Sequence, residues 1–265
     1  MNILHREMKA NRKSLFIWSV GIILLVAACM SKYSVQSQAG ESMNELMSSM
    51  PKSLQAIMGI GTLDLSTPLG YYGVLYLYLL LMGTIHAVML GATIIAKEER
   101  DKTYEFLFVK PFSRSSIITM KLLAALINLF IFNLVTSVSS ILLVGYYGDG
   151  YGGTGDVFVL MSGLFILQLL YLVIGSAIAA VIRQPKKAAS LSTGLLLITY
   201  ILAILVDLSE NLEFLKYITP FKYYDAKNML YGDAFEPVFV ILSVGLIFIL
   251  GALTFHYYQK KDLNA

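Results

Sequence analysis

Residues 96–121 read AKEERDKTYEFLFVKPFSRSSIITMK, the densest island of charge in a chain that is otherwise mostly apolar. Six basic residues sit in it or at its end: Lys97, Arg100, Lys102, Lys110, Arg114 and Lys121. Four acids, Glu98, Glu99, Asp101 and Glu105, stand beside them. Tyr104, Leu107 and Phe108 fall at i, i+3 and i+4, so a helix here carries a small aromatic-aliphatic face ringed by charge. Pro111 ends that helix, because it has no N–H to donate and biases Lys110 away from the α region. A plain solvated loop needs no apolar face of this kind. The stretch therefore reads as a short amphipathic helix on which another molecule docks.

On either side of the island the chain is hydrophobic. Of its 265 residues 57% are hydrophobic and 14% charged, against about 25% charged in a soluble domain, and the mean hydropathy is +0.70. These values define an all-α integral membrane protein. Six runs are long enough to cross about 30 Å of hydrocarbon, which takes ~20 residues: roughly 14–30, 69–95, 117–146, 157–182, 188–206 and 237–258. We read no Asp, Glu, Lys or Arg in their interiors, and His86 is the internal ionisable side chain. A charge at mid-bilayer costs about 2.5–3.5 kcal/mol on the insertion scale. The leader MNILHREMKANRKS is too polar for the start of a signal peptide, so the first run is expected to be retained as a span. The lone Cys29 reads as packing.

Basic residues cluster in the leader (Arg6, Lys9, Arg12, Lys13), the 96–121 island, the fourth-to-fifth loop (Arg183, Lys186, Lys187) and the C-terminus (Lys260, Lys261). Lys32, Lys52, Lys216, Lys222 and Lys227 fall on the other side. The positive-inside rule then places both termini and the island in the cytoplasm. Short amphipathic helices are expected at both surfaces: the leader along the inner leaflet, and outer pieces around Pro51 in residues 45–59 and across residues 207–236. Met43, Met47, Met50 and Met58 mark the first outer loop as an adaptable surface or plain packing. In the last outer loop, Leu208, Leu212 and Leu215 repeat at helical spacing before Pro220, and Phe221 and Tyr224 open a second short piece. The pattern suggests a re-entrant or surface-lying segment. Trp18 is expected to anchor the first span at the interface.

Within the spans, Gly83, Ala87 and Gly91 form a stripe for close helix approach, as do Gly175, Ser176, Ala179 and Ala180. Asn133, Thr136, Ser137 and Ser140 at i, i+3, i+4 and i+7 make a polar stripe in the third span. It serves either as interhelical glue or, with His86, as one wall of a translocation path.

The chain has no P-loop signature, no H-E-x-x-H and no His/Cys cluster, so neither a nucleotide nor a metal site is indicated. Gly150–Gly155 matches G-x-G-x-x-G but follows no strand and lies in an outer turn. Gly153-Thr154-Gly155-Asp156 with Tyr224-Asp225 has the elements of an intramembrane aspartyl protease, in reversed order and at the outer ends of spans; that is the remote alternative.

The 96–121 island resembles the signature of ABC-2-type transporter permeases: an acid pair, Gly-Thr, an acid, Leu-Leu, Pro and Arg. Glu98 and Glu99 match the acid, then Thr103, Glu105, Leu107-Phe108, Pro111 and Arg114 follow, and Lys102 stands where that family has Gly. Thr219-Pro220-Phe221, Tyr231-Gly232 and Lys260-Lys261-Asp262-Leu263 are similar to that family too. The resemblance implies a single permease domain over residues 1–265, with 96–116 as the coupling segment and Glu99–Val109 as its helix; Glu98, Glu99, Thr103, Tyr104, Glu105, Leu107, Phe108, Pro111 and Arg114 would contact the ATPase. It implies a separate cytoplasmic ABC ATPase carrying ATP and Mg, no cofactor or catalytic residue in this chain, a second permease subunit, surrounding lipids, no nucleic-acid partner, and a bacterial plasma membrane. A peptide, antibiotic or lipid-like cargo is expected. The competing reading is a non-transporting sensor or immunity module that binds a peptide at the outer loops.

Overall fold

In the computed structural model the described residues are 3–38, 44–45, 49–58, 60, 63–103, 113–148, 153–232 and 234–260. They form α1 (Ile3–Gln38), α2 (Lys52–Met58), α3 (Pro68–Arg100), α4 (Arg114–Tyr147), α5 (Thr154–Val181), α6 (Ala188–Leu208), α7 (Ala226–Tyr231) and α8 (Pro237–Lys260). Short 3-10 turns occupy 185–187, 210–217 and 220–222, and there is no strand among the described residues. α1, α3, α4, α5, α6 and α8 are each long and apolar enough to cross a membrane. The protein is an all-α, multi-pass membrane protein.

α3 and α5 form the centre, and theirs is the most extensive pairing in the bundle. Small residues make it possible. A Cβ placed on Gly91 would stand 2.1 Å from the Leu172 carbonyl oxygen, and one on Gly175 would stand 2.3 Å from the Val88 carbonyl oxygen. The two backbones are therefore in contact from both sides, the arrangement that small residues on facing stripes permit in lipid. The seam is fastened by Ser176 Oγ, which donates to the Gly91 carbonyl at 3.3 Å, and by Tyr76 OH, which donates to the Leu160 carbonyl at 2.8 Å.

The other spans surround this pair. α1 packs along α4, α8 against α5, and α6 against α3 and α5. They turn large apolar side chains outward, among them Phe16 and Leu24 on α1, Phe130 and Leu142 on α4, and Phe248 and Ile249 on α8. A solvated surface would not carry this much apolar area, and hydrocarbon suits it.

Two expectations are corrected. The leader is not a separate surface helix, since from Ile3 it is continuous with the first span in one helix of 36 residues. No Pro or Gly interrupts it before Gly21, and Ile3 and Glu7 are buried against the bundle, so tertiary contacts hold it on the helix axis. Trp18 lies about 22 Å along α1, at 1.5 Å per residue, where its ring packs on His86 at 5.6 Å. The Leu208–Leu215 pattern is not a second α-helix: α6 runs through Leu208 and the chain then tightens into the 210–217 3-10 stretch, which exposes Phe214, Tyr217 and Ile218. Those three form an apolar surface that can rest on a leaflet. α2 starts at Lys52, directly after Pro51.

Candidate functional site

The ends of the charge island are set by unusual local geometry. α3 closes in a Schellman motif. The Thr103 N–H donates to the Glu98 carbonyl at 2.8 Å and the Lys102 N–H to that of Glu99 at 3.4 Å. The residue in the left-handed position is Lys102, with φ 54°. This is the position where the resembled signature has Gly, and it explains that preference, because a side chain there costs roughly 1 kcal/mol. Lys102→Gly should therefore stabilise this turn by about 1 kcal/mol, seen as slower amide exchange at Thr103; unchanged or faster exchange would contradict the strain. On the far side of the island, Ser113 caps α4 by accepting from the Ser116 N–H at 3.2 Å.

Between these two ends lies a buried ionic hub. Lys121 on α4 is 0% exposed; its ammonium donates to Glu98 Oε2 and to the Ile94 carbonyl. Glu98 on α3 is 6% exposed and takes Arg6 Nη2 on its other oxygen at 2.7 Å. Arg6 also bonds the buried Glu7 Oε1 at 2.7 Å, and Lys97 Nζ stands 3.8 Å from Glu7 Oε2. Two carboxylates and two buried or half-buried cations thus balance, with a third cation at the edge. Glu7, Glu98 and Lys121 are desolvated and each has an oppositely charged partner, the condition under which buried ions are tolerated. Arg114 Nη1 donates to the Gln259 carbonyl at 2.8 Å, and Gln259 Nε2 donates to Ser115 Oγ at 2.8 Å, so α8 is tied to the start of α4 as well. Ile3, Ile117 and Tyr258 pack beside them.

Residues 104–112 lie outside the described residues, and with them Tyr104, Glu105, Leu107, Phe108 and Pro111. Of the remaining expected coupling residues, Glu98 is committed to the hub and does not face outward, Glu99 is half-buried, Thr103 is exposed, and Arg114 reaches toward α8. The hub also draws in Arg6, Glu7 and Lys121, which had no assigned role. Lys121 is a correction: it lies fully buried on α4 within the third apolar run, so that run does carry an internal charge. The signal that could have found it is a Lys flanked by Ile117, Ile118, Leu122 and Ala125, with an acid available at the end of the preceding span.

The polar groups of the spans pack inward. His86 is 3% exposed and sits between Trp18 and Phe132, whose ring centroid is 4.5 Å away; its Nδ1 has no hydrogen-bond partner among the described residues. Asn133 joins α4 to α5 through the Met161 carbonyl at 3.3 Å. Thr136 donates back to the Phe132 carbonyl and Ser137 to that of Asn133, and Ser140 is buried. Gln168 on α5 lies against this stripe, with Nε2 unpartnered among the described residues.

At the opposite end, Pro220, Phe221 and Tyr224 are all buried. Phe221 packs against Tyr171 and Tyr200, with both ring centroids at 5.3 Å. Tyr224 OH donates to Ser243 Oγ on α8 at 2.9 Å, and Tyr223 stacks on Phe239 at 4.9 Å. The segment after α6 is thus wedged between spans. Of the two protease-like aspartates, Asp156 is exposed in the first turn of α5, and Asp225 caps α7 by accepting from the Asn228 N–H at 2.9 Å.

Six long apolar helices, closed by ion pairs at one end, define a polytopic membrane protein. The chain belongs to the ABC-2 family of transporter proteins, whose family profile matches residues 1–263. That family supplies the membrane component of transporters, is not itself catalytic, and usually works with an ATPase subunit. A comparison with curated proteins gave no match.

Proposed function

We propose that this chain is the permease subunit of an ATP-driven exporter and takes its energy from a separate cytoplasmic ATPase through the 96–116 segment. The observation that carries this reading is the hub. α3 ends two residues after Glu98 and α4 begins seven residues before Lys121, and those two side chains bond each other and, through Arg6, α1. A force applied between them is delivered to three helices at once. The partner would bind ATP and Mg, and nucleotide-driven closure of two ATPases would press the segments of two permease subunits together. Both termini would then be cytoplasmic in a bacterial plasma membrane, and the cargo would be a peptide, an antibiotic or a lipid-like molecule.

The Asn133–Ser140 stripe and His86 would contribute to the path in the state that opens it. The unpartnered His86 Nδ1 and Gln168 Nε2 support this, since buried polar atoms without partners are costly and gain from a rearrangement that pairs them.

The test is ATPase activity of the complex purified with its ATPase. Leu107→Asp or Phe108→Asp should abolish stimulation by the permease, with membrane insertion unchanged. Normal stimulation in properly inserted variants would refute the coupling.

A further inference from the structure

At the end of the bundle that holds the hub, α1 carries a second set of cations. Lys9, Arg12 and Lys13 are all exposed. They form no ion pair among the described residues, unlike Arg6, whose guanidinium is taken by Glu7 and Glu98. The described acids at that end are engaged elsewhere: Glu7 and Glu98 are enclosed in the hub, Glu99 is half-buried on α3, and Asp101 pairs with Arg100. Lys9 stands at i, i+3 from Arg12 and i, i+4 from Lys13, so the three also repel one another across one turn.

Register joins these cations to a ridge that faces hydrocarbon. At about 100° per residue, Lys9, Arg12, Lys13, Phe16, Val20, Ile23 and Leu24 share one face, within about 60° of Lys9 on either side. Phe16 is 68% exposed and Leu24 63%, while Glu7, Ile22 and Val26, toward the other side of the helix, are buried. The face thus passes from bare charge directly into bare apolar side chains. Lys9 to Lys13 span about 6 Å of the axis, and Phe16 begins the ridge about 4.5 Å further on, at 1.5 Å per residue. A headgroup layer is roughly 5–7 Å deep on each side of the hydrocarbon core. The three cations therefore fit within one headgroup layer, with the ridge among the acyl chains.

Two features have to be met together. An acidic soluble partner would meet the cations and leave the ridge unused. A zwitterionic lipid would cover the ridge and leave the mutual repulsion of the cations in place. A lipid with a net negative head satisfies both.

We propose that this face of α1 binds an anionic phospholipid, its headgroup among Lys9, Arg12 and Lys13 and an acyl chain along Phe16, Val20 and Leu24. Arg6 and Glu7 lie within one turn of Lys9, so the bound lipid braces the α1 end of the hub. The proposal is independent of the export reading.

The experiment uses the full chain reconstituted in bilayers that mix phosphatidylglycerol with phosphatidylcholine, one of the two carrying brominated chains. Trp18 is the single tryptophan, so Phe16→Trp in a Trp18→Phe background reports on the ridge through quenching by bromine. Quenching there should show at least a fivefold preference for phosphatidylglycerol. Changing Lys9, Arg12 and Lys13 together to Gln should bring that preference to about one, and changing both lysines to Arg should keep it. Phe248→Trp in the same background, on the exposed face of α8, should show no preference. Where Trp18→Phe fails to fold, native mass spectrometry of the unaltered chain and of the triple Gln variant gives the same comparison. Retention of phosphatidylglycerol by the former alone is expected. Equal quenching by the two lipids at Phe16→Trp, an equal preference at Phe248→Trp, or lipid retention indifferent to the triple Gln change would each overturn the proposal. Loss of the preference on adding millimolar glycerol phosphate would assign the cations to a soluble anion and overturn it too.

Discussion

Lys121→Met is expected to destabilise the bundle by about 3 kcal/mol, the lower part of the 3–5 kcal/mol range for removing one partner of a buried ion pair. The ammonium is fully enclosed and gives up its place between the Ile94 carbonyl and Glu98. Glu98 is left nearly as buried as before, with Arg6 at 2.7 Å as its remaining cation. That contact keeps the loss from reaching the top of the range. Neutralising the orphan should reverse most of it, so Glu98→Gln with Lys121→Met is expected to be much closer to the native protein than Lys121→Met alone. Thermal unfolding of the purified protein in one detergent reads both. A double variant as unstable as the single one would mean that Lys121 acts by packing and not as the partner of Glu98. About 3 kcal/mol corresponds to roughly a hundredfold in the folded-to-unfolded ratio, since 1.4 kcal/mol is tenfold.

Gly91→Leu should be at least as damaging, and for a different reason. A Cβ at Gly91 would lie 2.1 Å from a backbone oxygen of α5, and nothing flexible is there to move aside. Relief requires α3 and α5 to separate along the central seam of the protein. Overpacking typically costs 1–3 kcal/mol and exceeds that where only backbone can yield. Gly91→Ala should already be destabilising, and Gly175→Ala likewise, because it meets the Val88 carbonyl at 2.3 Å. Gly145 and Gly251 give the contrast. Both are helical, and nothing lies within 4 Å of a Cβ placed on either. Gly145→Ala and Gly251→Ala should therefore be neutral or stabilising by up to about 1 kcal/mol, through helix propensity alone. Equal effects at Gly91 and Gly145, measured by monodisperse yield and unfolding midpoint, would deny the close α3–α5 approach.

Much of the architecture could be read from residues. Six apolar runs indicate six long helices because a span must satisfy its own backbone and so announces itself by composition. The Gly83–Gly91 and Gly175–Ala180 stripes indicate which helices approach most closely, since only small residues permit it. Other features depend on neighbours that are distant in sequence. Glu98 and Lys121 are 23 positions apart, and Arg6 is 92 positions from Glu98, so no local period reveals that they share one buried cluster. The leader looked like a surface helix because its charges are typical of one; what places it on the axis of α1 is the pairing of Glu7 and Arg6 with other helices. The Leu208, Leu212, Leu215 spacing of four and then three is an α-helical period, so the tightening to a 3-10 stretch at 210–217 is not visible in the pattern. For the candidate site, the Lys102 turn was legible as a departure from the resembled signature. The docking face itself, at Tyr104, Leu107 and Phe108, rests on sequence pattern alone.

That face carries the central claim and is tested most directly by cross-linking. With Cys29→Ser as background, Phe108→Cys is labelled with a photoactivatable thiol reagent in the complex purified with its ATPase. Illumination should join the chain to the ATPase, with a yield that changes when ATP and Mg are added. Adducts to lipid or to a second copy alone, in a complex that remains intact, would contradict the claim.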